Sequence, residues 1–102
     1  MSRNEAILTA VETLGGGYVW EDEIFAVMLI DVPVKDEDAQ RLCDLVGVKQ
    51  IALNATQVAL GTLMSIAQIP GLESLVLSNV TLTPQQIDAI ASKGPEVEIV
   101  SE

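Results

Sequence analysis

One spacing of apolar residues, met three times at a fixed interval, decides what this chain is able to fold into. Residues 72–82 read Leu72-x-x-Leu75-x-Leu77-x-x-Val80-x-Leu82. The same slots 24 residues earlier hold Val48, Ile51, Leu53, Thr56 and Val58, and a further step of 24 back they hold Ile24, Val27, Leu29, Val32 and Val34. Self-similarity at a period of about 20–50 residues marks stacked units, each too small to bury an apolar face alone. The first half of each unit alternates as a short strand does. The second half places Ala39/Leu63/Ile87, Leu42/Ile66/Ile90 and Cys43/Ala67/Ala91 at i, i+3 and i+4, which is one face of a short helix.

The units are bounded at 24–47, 48–71 and 72–95 within a single domain over 1–102, with 1–23 as an N-terminal cap and 96–102 as a closing strand. In the cap, Ala6, Ile7, Ala10, Val11 and Leu14 predict an amphipathic helix over 3–14. Gly15-Gly16-Gly17 ends that helix. The glycine run follows a helix rather than opening one and lacks a Lys-Ser/Thr, so it reads as a capping turn and not a phosphate cradle. Tyr18-Val19-Trp20 predicts a flanking strand, and Glu21-Asp22-Glu23 a solvated acidic turn. In the closing segment a strict 24-residue phase would put Glu96 in an apolar slot; a slip that sets Val97 and Ile99 opposite Leu75 and Leu77 restores the pattern. Thr83 caps the third helix, with Pro84 at its first position and Gln86 completing a capping box. Asp36 is expected to cap the first helix. The second, starting at Ala59-Leu60-Gly61-Thr62, offers no cap and is expected to be the least regular.

On these residues the chain resembles a small leucine-rich-repeat protein. The pattern L-x-x-L-x-L-x-x-N/C-x-L is met at its apolar slots in all three units. Its ninth slot departs from the pattern, with Val32, Thr56 and Val80 where the family has Asn or Cys; of these, only Thr56 is able to bond to the turn. Units with Thr or Val there and a Thr or Asp cap beyond, as in Asn79-Val80-Thr81-Leu82-Thr83, resemble a bacterial subtype. That subtype opens with a helix ending in Leu-Gly-Gly and closes with a Pro-x-x-x-Ile strand, and Leu14-Gly15-Gly16 and Pro95-Glu96-Val97-Glu98-Ile99 match both ends. The resemblance implies an α/β leucine-rich-repeat solenoid: an N-terminal helical cap, about three strand–turn–helix units and a terminal strand, forming a mostly parallel sheet. It covers nearly the whole chain and implies no activity, since function lies in sites placed on a fold.

Charge and composition exclude several classes of function. Fifteen acids stand against five bases, a net charge of -10, and phosphate neutralisation needs the opposite balance, so nucleic acid is not expected as a partner. No apolar run approaches the ~18 residues of a membrane span, and Glu5 and Glu12 interrupt the N-terminal apolar positions, so neither a membrane segment nor a signal peptide is expected. The expected compartment is the cytoplasm, in keeping with a single cysteine. The chain has no histidine, the commonest general base and metal ligand. Cys43 has alanines as its counterparts, which marks a small packing site. Asp31, Asp36 and Asp38 fall in turns and helix starts, where the helix dipole favours acids. No catalytic residue, cofactor or metal site is expected, and the chain reads as a non-enzyme.

Surface remains. Between the core positions of each strand lie Ala26, Met28 and Ile30, then Gln50, Ala52 and Asn54, then Ser74, Val76 and Ser78. Met28, Ala52 and Val76 predict an apolar row across the sheet, broadened by Ile30 and Phe25 and fringed by Gln50, Asn54, Ser74 and Ser78. A contiguous apolar patch with a polar fringe marks a binding surface. The alternative is that the N-terminal helix or the Tyr18–Trp20 segment covers part of the face. Eight of the fifteen acids (Glu21, Asp22, Glu23, Asp31, Asp36, Glu37, Asp38, Asp44) lie between Glu21 and Asp44, at the end of the cap and in the first unit. The expectation is non-catalytic binding of another protein, one of basic character, through the sheet face and the acidic first unit. An immunity or antitoxin protein against a basic toxin, a homodimer, and a structural subunit of a larger complex are the alternatives.

Overall fold

Alternating apolar residues need one covered face, and the chain supplies the cover by following each strand with a helix. The computed structural model describes residues 3–21, 24–30, 32, 34–80 and 82–100. Asp22 and Glu23 at the end of the cap and Asp31 of the first unit lie outside the described residues. The elements are α1 (Arg3–Leu14), β1 (Gly17–Glu21), β2 (Ile24–Leu29), α2 (Asp36–Leu42), β3 (Gln50–Asn54), α3 (Leu60–Ala67), β4 (Ser74–Ser78), α4 (Pro84–Ala91) and β5 (Glu96–Val100).

The fold is α/β, with a five-stranded sheet in the order β1-β2-β3-β4-β5. β1 runs antiparallel to β2, and the other neighbours are parallel. Along β2, β3 and β4 the paired residues are 24 apart: Val27 with Ile51 and Leu75, Leu29 with Leu53 and Leu77. β5 steps out of that phase and sets Val97 beside Leu75 and Ile99 beside Leu77. This slip keeps branched apolar side chains on one face and sends Glu96 and Glu98 to the other.

Val27, Leu29, Ile51, Leu53, Leu75 and Leu77 are all 1% exposed or less and cluster with Ala39 and Leu42 of α2, Leu63, Ile66 and Ala67 of α3, and Ile90 of α4. The helices therefore form one layer behind the sheet. α1 joins that layer with Ile7, Leu8 and Val11 buried, while Ala6 is exposed and Ala10 and Leu14 are half-buried. Its buried stripe is rotated from the expected one, and Asn4 gives the reason. The Asn4 side-chain amide donates to the Val46 carbonyl at 2.8 Å and accepts from the Val46 N–H at 2.8 Å, tying α1 to the chain beyond α2.

Helix starts differ from one another. Thr83 Oγ1 accepts from the Gln86 N–H at 3.2 Å while Gln86 Oε1 accepts from the Thr83 N–H at 2.9 Å, the reciprocal box expected for α4. Asp36 is not the cap of α2. Lys35 holds that position, its N–H donating to Asp38 at 3.4 Å, and Asp36 is the first helical residue. The Asp36 carboxylate instead accepts the Ala59 N–H at 2.8 Å. Ala59 precedes α3 and has no polar side chain of its own, so the neighbouring helix lends the missing cap. With it α3 runs eight residues, as long as α4 and longer than α2, which corrects the expectation that it would be the least regular. The turn after β3 is fixed by Thr56, whose hydroxyl lies 2.6 Å from Asn54 Oδ1 and 3.2 Å from the carbonyl of Asn79 in the next turn.

Candidate functional site

With every helix on one side, the other face of the sheet is open. Cross-strand partners share a face, so the registers assemble this face row by row. One row runs Gly17–Met28–Ala52–Val76–Glu98 and the next Val19–Ala26–Gln50–Ser74–Glu96; beyond β2, Asn54, Ser78 and Val100 align. α1 does not cover the face, because it packs in the helix layer, and Tyr18–Trp20 extends the sheet as β1 instead of crossing it.

Among the described residues Met28 is the most exposed large apolar side chain on this face, at 48%, with Val19 of the edge strand next at 37%. Its neighbours in the row, Gly17 and Ala52, are too small to flank it. Ala52 and Val76 are buried and form a floor beside it, while Gln50 is exposed and Ile30, Asn54 and Ser74 are half-buried. Ser78 is only 1% exposed. The cause is the chain leaving β2: the Ile30 carbonyl has moved out of line with Asn54 and lies 3.4 Å from Ser78 Oγ, which donates to it across the width of β3. The hydroxyl is thereby used within the fold. Together these residues bound a groove of about 410 Å³, floored by Ala52 and Val76 and walled by Met28, Ile30 and Gln50 on the sheet and by Gly15–Gly17 and Val32 from the flanking turns.

Phe25 does not belong to the face. It shares a face with Val27 and Leu29 and not with Met28, is 4% exposed in the core, and stacks on Trp20 with ring centroids 5.2 Å apart. The parity of the strand excludes it from any surface that contains Met28. Ala52, Val76 and Ser78 are corrected in a different sense: they lie on the predicted face but as its floor, out of solvent.

Three contributors were not singled out from the sequence. Gly16 is one: a Cβ there would meet the Leu29 side chain and come within 2.7 Å of the Met28 carbonyl, so only glycine lets this turn lie against the end of β2. Val32 lines the groove from the β2–α2 connection. Glu98 closes the Met28 row at the far side. The Val97/Ile99 slip carried the signal for Glu98, since it obliges Glu96 and Glu98 to point outward.

The ionisable groups offer little chemistry. The Ala59 N–H and then the Thr62 hydroxyl hold the Asp36 carboxyl below its ordinary range. Burial first, and the neighbouring Asp44 carboxylate second, push the half-buried Cys43 thiol up, so it stays protonated and is a poor nucleophile. Asp36, Glu37 and Asp38 open α2 and so belong to the helix layer, away from the groove. Among the described residues no group of three or more Cys, Asp or Glu is placed to hold a metal ion, and no helix is long and apolar enough to cross a membrane. The chain matches no protein-family model, no curated protein and no solved structure.

Proposed function

We propose that this chain is a leucine-rich-repeat solenoid acting as a non-catalytic protein-binding module, with the open sheet face as its binding surface. The observation that carries the reading is Met28, a large flexible apolar side chain 48% exposed at the lip of an apolar groove. A position that the core does not use, filled by methionine, suits an adaptable contact with a partner's apolar side chain. The repeat reading draws support from the 24-residue steps between paired residues of β2, β3 and β4, and from helices that all lie behind the sheet. The partner we infer is a protein with an apolar anchor for the groove and basic residues reaching Glu96 and Glu98 at its β5 margin. A net charge of -10 steers such a partner toward the chain in the cytoplasm.

The test is a paired capture from the native host with wild type and Met28→Asp as baits. A partner held by wild type and lost from Met28→Asp, with an unchanged circular-dichroism spectrum, is the expected result. Retention of the same partner by both baits, or unfolding of the variant, would overturn the assignment of Met28 to a binding surface.

A further inference from the structure

The two outer edges of the sheet are built differently. β5 carries exposed Glu96 and Glu98 along its length, charges of the kind that keep an edge from pairing with another chain. β1 carries Tyr18, Val19 and Trp20 between Gly17 and Glu21, with no proline, lysine or interior charge, and these three side chains are 37%, 37% and 43% exposed. Its antiparallel register with β2 is uninterrupted from Gly17 to Glu21, so no bulge turns the edge away. A shallow cleft of about 450 Å³ runs beside the strand, lined by Gly16 to Glu21 and by Glu12 of α1. Both carboxylates lie in that lining, and the chain as a whole carries -10.

We propose that β1 accepts an extended, basic segment of a partner protein as a sixth strand of the sheet. The outer N–H and C=O groups of an edge strand supply the affinity, and alternate side chains of the added strand supply the selectivity. One set of its side chains would lie against Tyr18 and Trp20, where an arginine finds an aromatic face and Glu12 adds opposite charge, while Glu21 shares the side of Val19 and adds its charge there. The other set would lie beside Val19. A second copy of this chain fits the edge less well, because it would bring another -10 to the same place. This edge adjoins the Met28 groove at Gly16 and Gly17, but its occupant would pair with the β1 backbone and not fill the groove, so each proposal stands or falls alone.

Trp20 is the single tryptophan, so its emission reports on the edge directly. The probe is a capped synthetic peptide of alternating arginine and valine, titrated into the full chain to millimolar concentration. Its control is the same sequence N-methylated on every amide, which keeps the charge and removes the strand-pairing donors. Expected are a saturable shift of Trp20 emission with the first peptide, none with the second, and about tenfold weaker binding for the Glu12→Gln, Glu21→Gln double variant. Equal shifts with both peptides mean adhesion by charge alone and overturn the proposal, as does no shift with either. Light scattering that finds a dimer dissociated by Val19→Lys assigns the edge to a second copy and overturns it too.

Discussion

Val76 and Leu77 are adjacent in β4 and look to opposite sides of the sheet, and the two sides obey different rules. On the helix side every central position is a Val, Ile or Leu, 1% exposed or less, matched by its partner in the next strand. On the open side the row through Val76 runs from glycine through methionine, alanine and valine to glutamate. The helix side is filled over β2, β3 and β4, where the helices pack; at the margins Tyr18, Trp20, Val97 and Ile99 stay partly exposed. The open side is under a weaker demand: Ala52, Val76 and Ser78 are buried there, while Met28 and Gln50 stand in solvent. The largest predicted effects test this division. Leu53→Ala and Leu77→Ala should each cost about 2–5 kcal/mol, read as a lower urea midpoint at unchanged m-value. Val76→Ala removes two methyl groups from the opposite face and should cost at most about 1.5 kcal/mol. Equal losses for Val76→Ala and Leu77→Ala would erase the distinction between the faces.

A second test concerns how the helix layer is closed at its N-terminal end. Asn4 serves both the N–H and the carbonyl of Val46 across 42 residues of chain, at a helix whose apolar contribution is Ile7, Leu8 and Val11 with Leu14 half-buried beside them. Asn4→Ala leaves two backbone groups to find water. Because Val46 is 65% exposed, water is at hand, and the cost belongs at the low end of about 1–3 kcal/mol. Hydrogen exchange should show the Val46 amide losing protection while the β3 and β4 amides keep theirs; loss across the whole sheet would mean that α1 is integral to the core. On the open face, Met28→Asp should cost about 1 kcal/mol, since roughly half of the side chain is already in water and aspartate is disfavoured in a strand. A larger loss would show that Met28 packs as core.

The helix-side face was legible because two periodicities agree there: alternation within each strand and the 24-residue step between strands leave one consistent answer for Leu53 or Leu77. The β5 slip was legible from alternation alone, because the 24-residue step fails there and would put Glu96 in an apolar slot. The open face was legible only as a set of positions. Which of them stand in solvent depends on neighbours that the repeat does not specify: Gly17 arrives beside Met28 through an antiparallel register, and Ile30 leaves the sheet to cover Ser78. Phe25 was misplaced although parity alone would have corrected it. Polar links between elements were the least legible. Asn4 reads as an ordinary first-turn residue and Asp36 as a cap for its own helix, and the true partners of both lie in other elements.

Asp36 also carries the smallest expected effect, and it discriminates between a helix that is capped locally and one capped by its neighbour. Its carboxylate accepts the Ala59 N–H at 2.8 Å and Gln40 Nε2 at 2.8 Å, and the first of these bonds is the leading cause that holds its pKa below the ordinary 3.8. A folded-state pKa depressed below the unfolded one means that the ionised form is preferred in the fold. The contribution is then fully present above about pH 3.8, and it fades as the pH falls through the folded value, where both states become protonated. Asp36→Asn retains an oxygen for Ala59 but does not titrate. Its urea midpoint should lie slightly below wild type at neutral pH and converge with it in acid, and the difference should shrink with salt because the group is accessible to solvent. Amide exchange locates the effect: Ala59 and the first turn of α3 should lose protection in the variant at neutral pH, while α2 keeps its own. Faster exchange confined to α2 would instead make Asp36 a cap of its own helix. The bond from α2 to the start of α3 would then carry none of the stability of the layer behind the sheet.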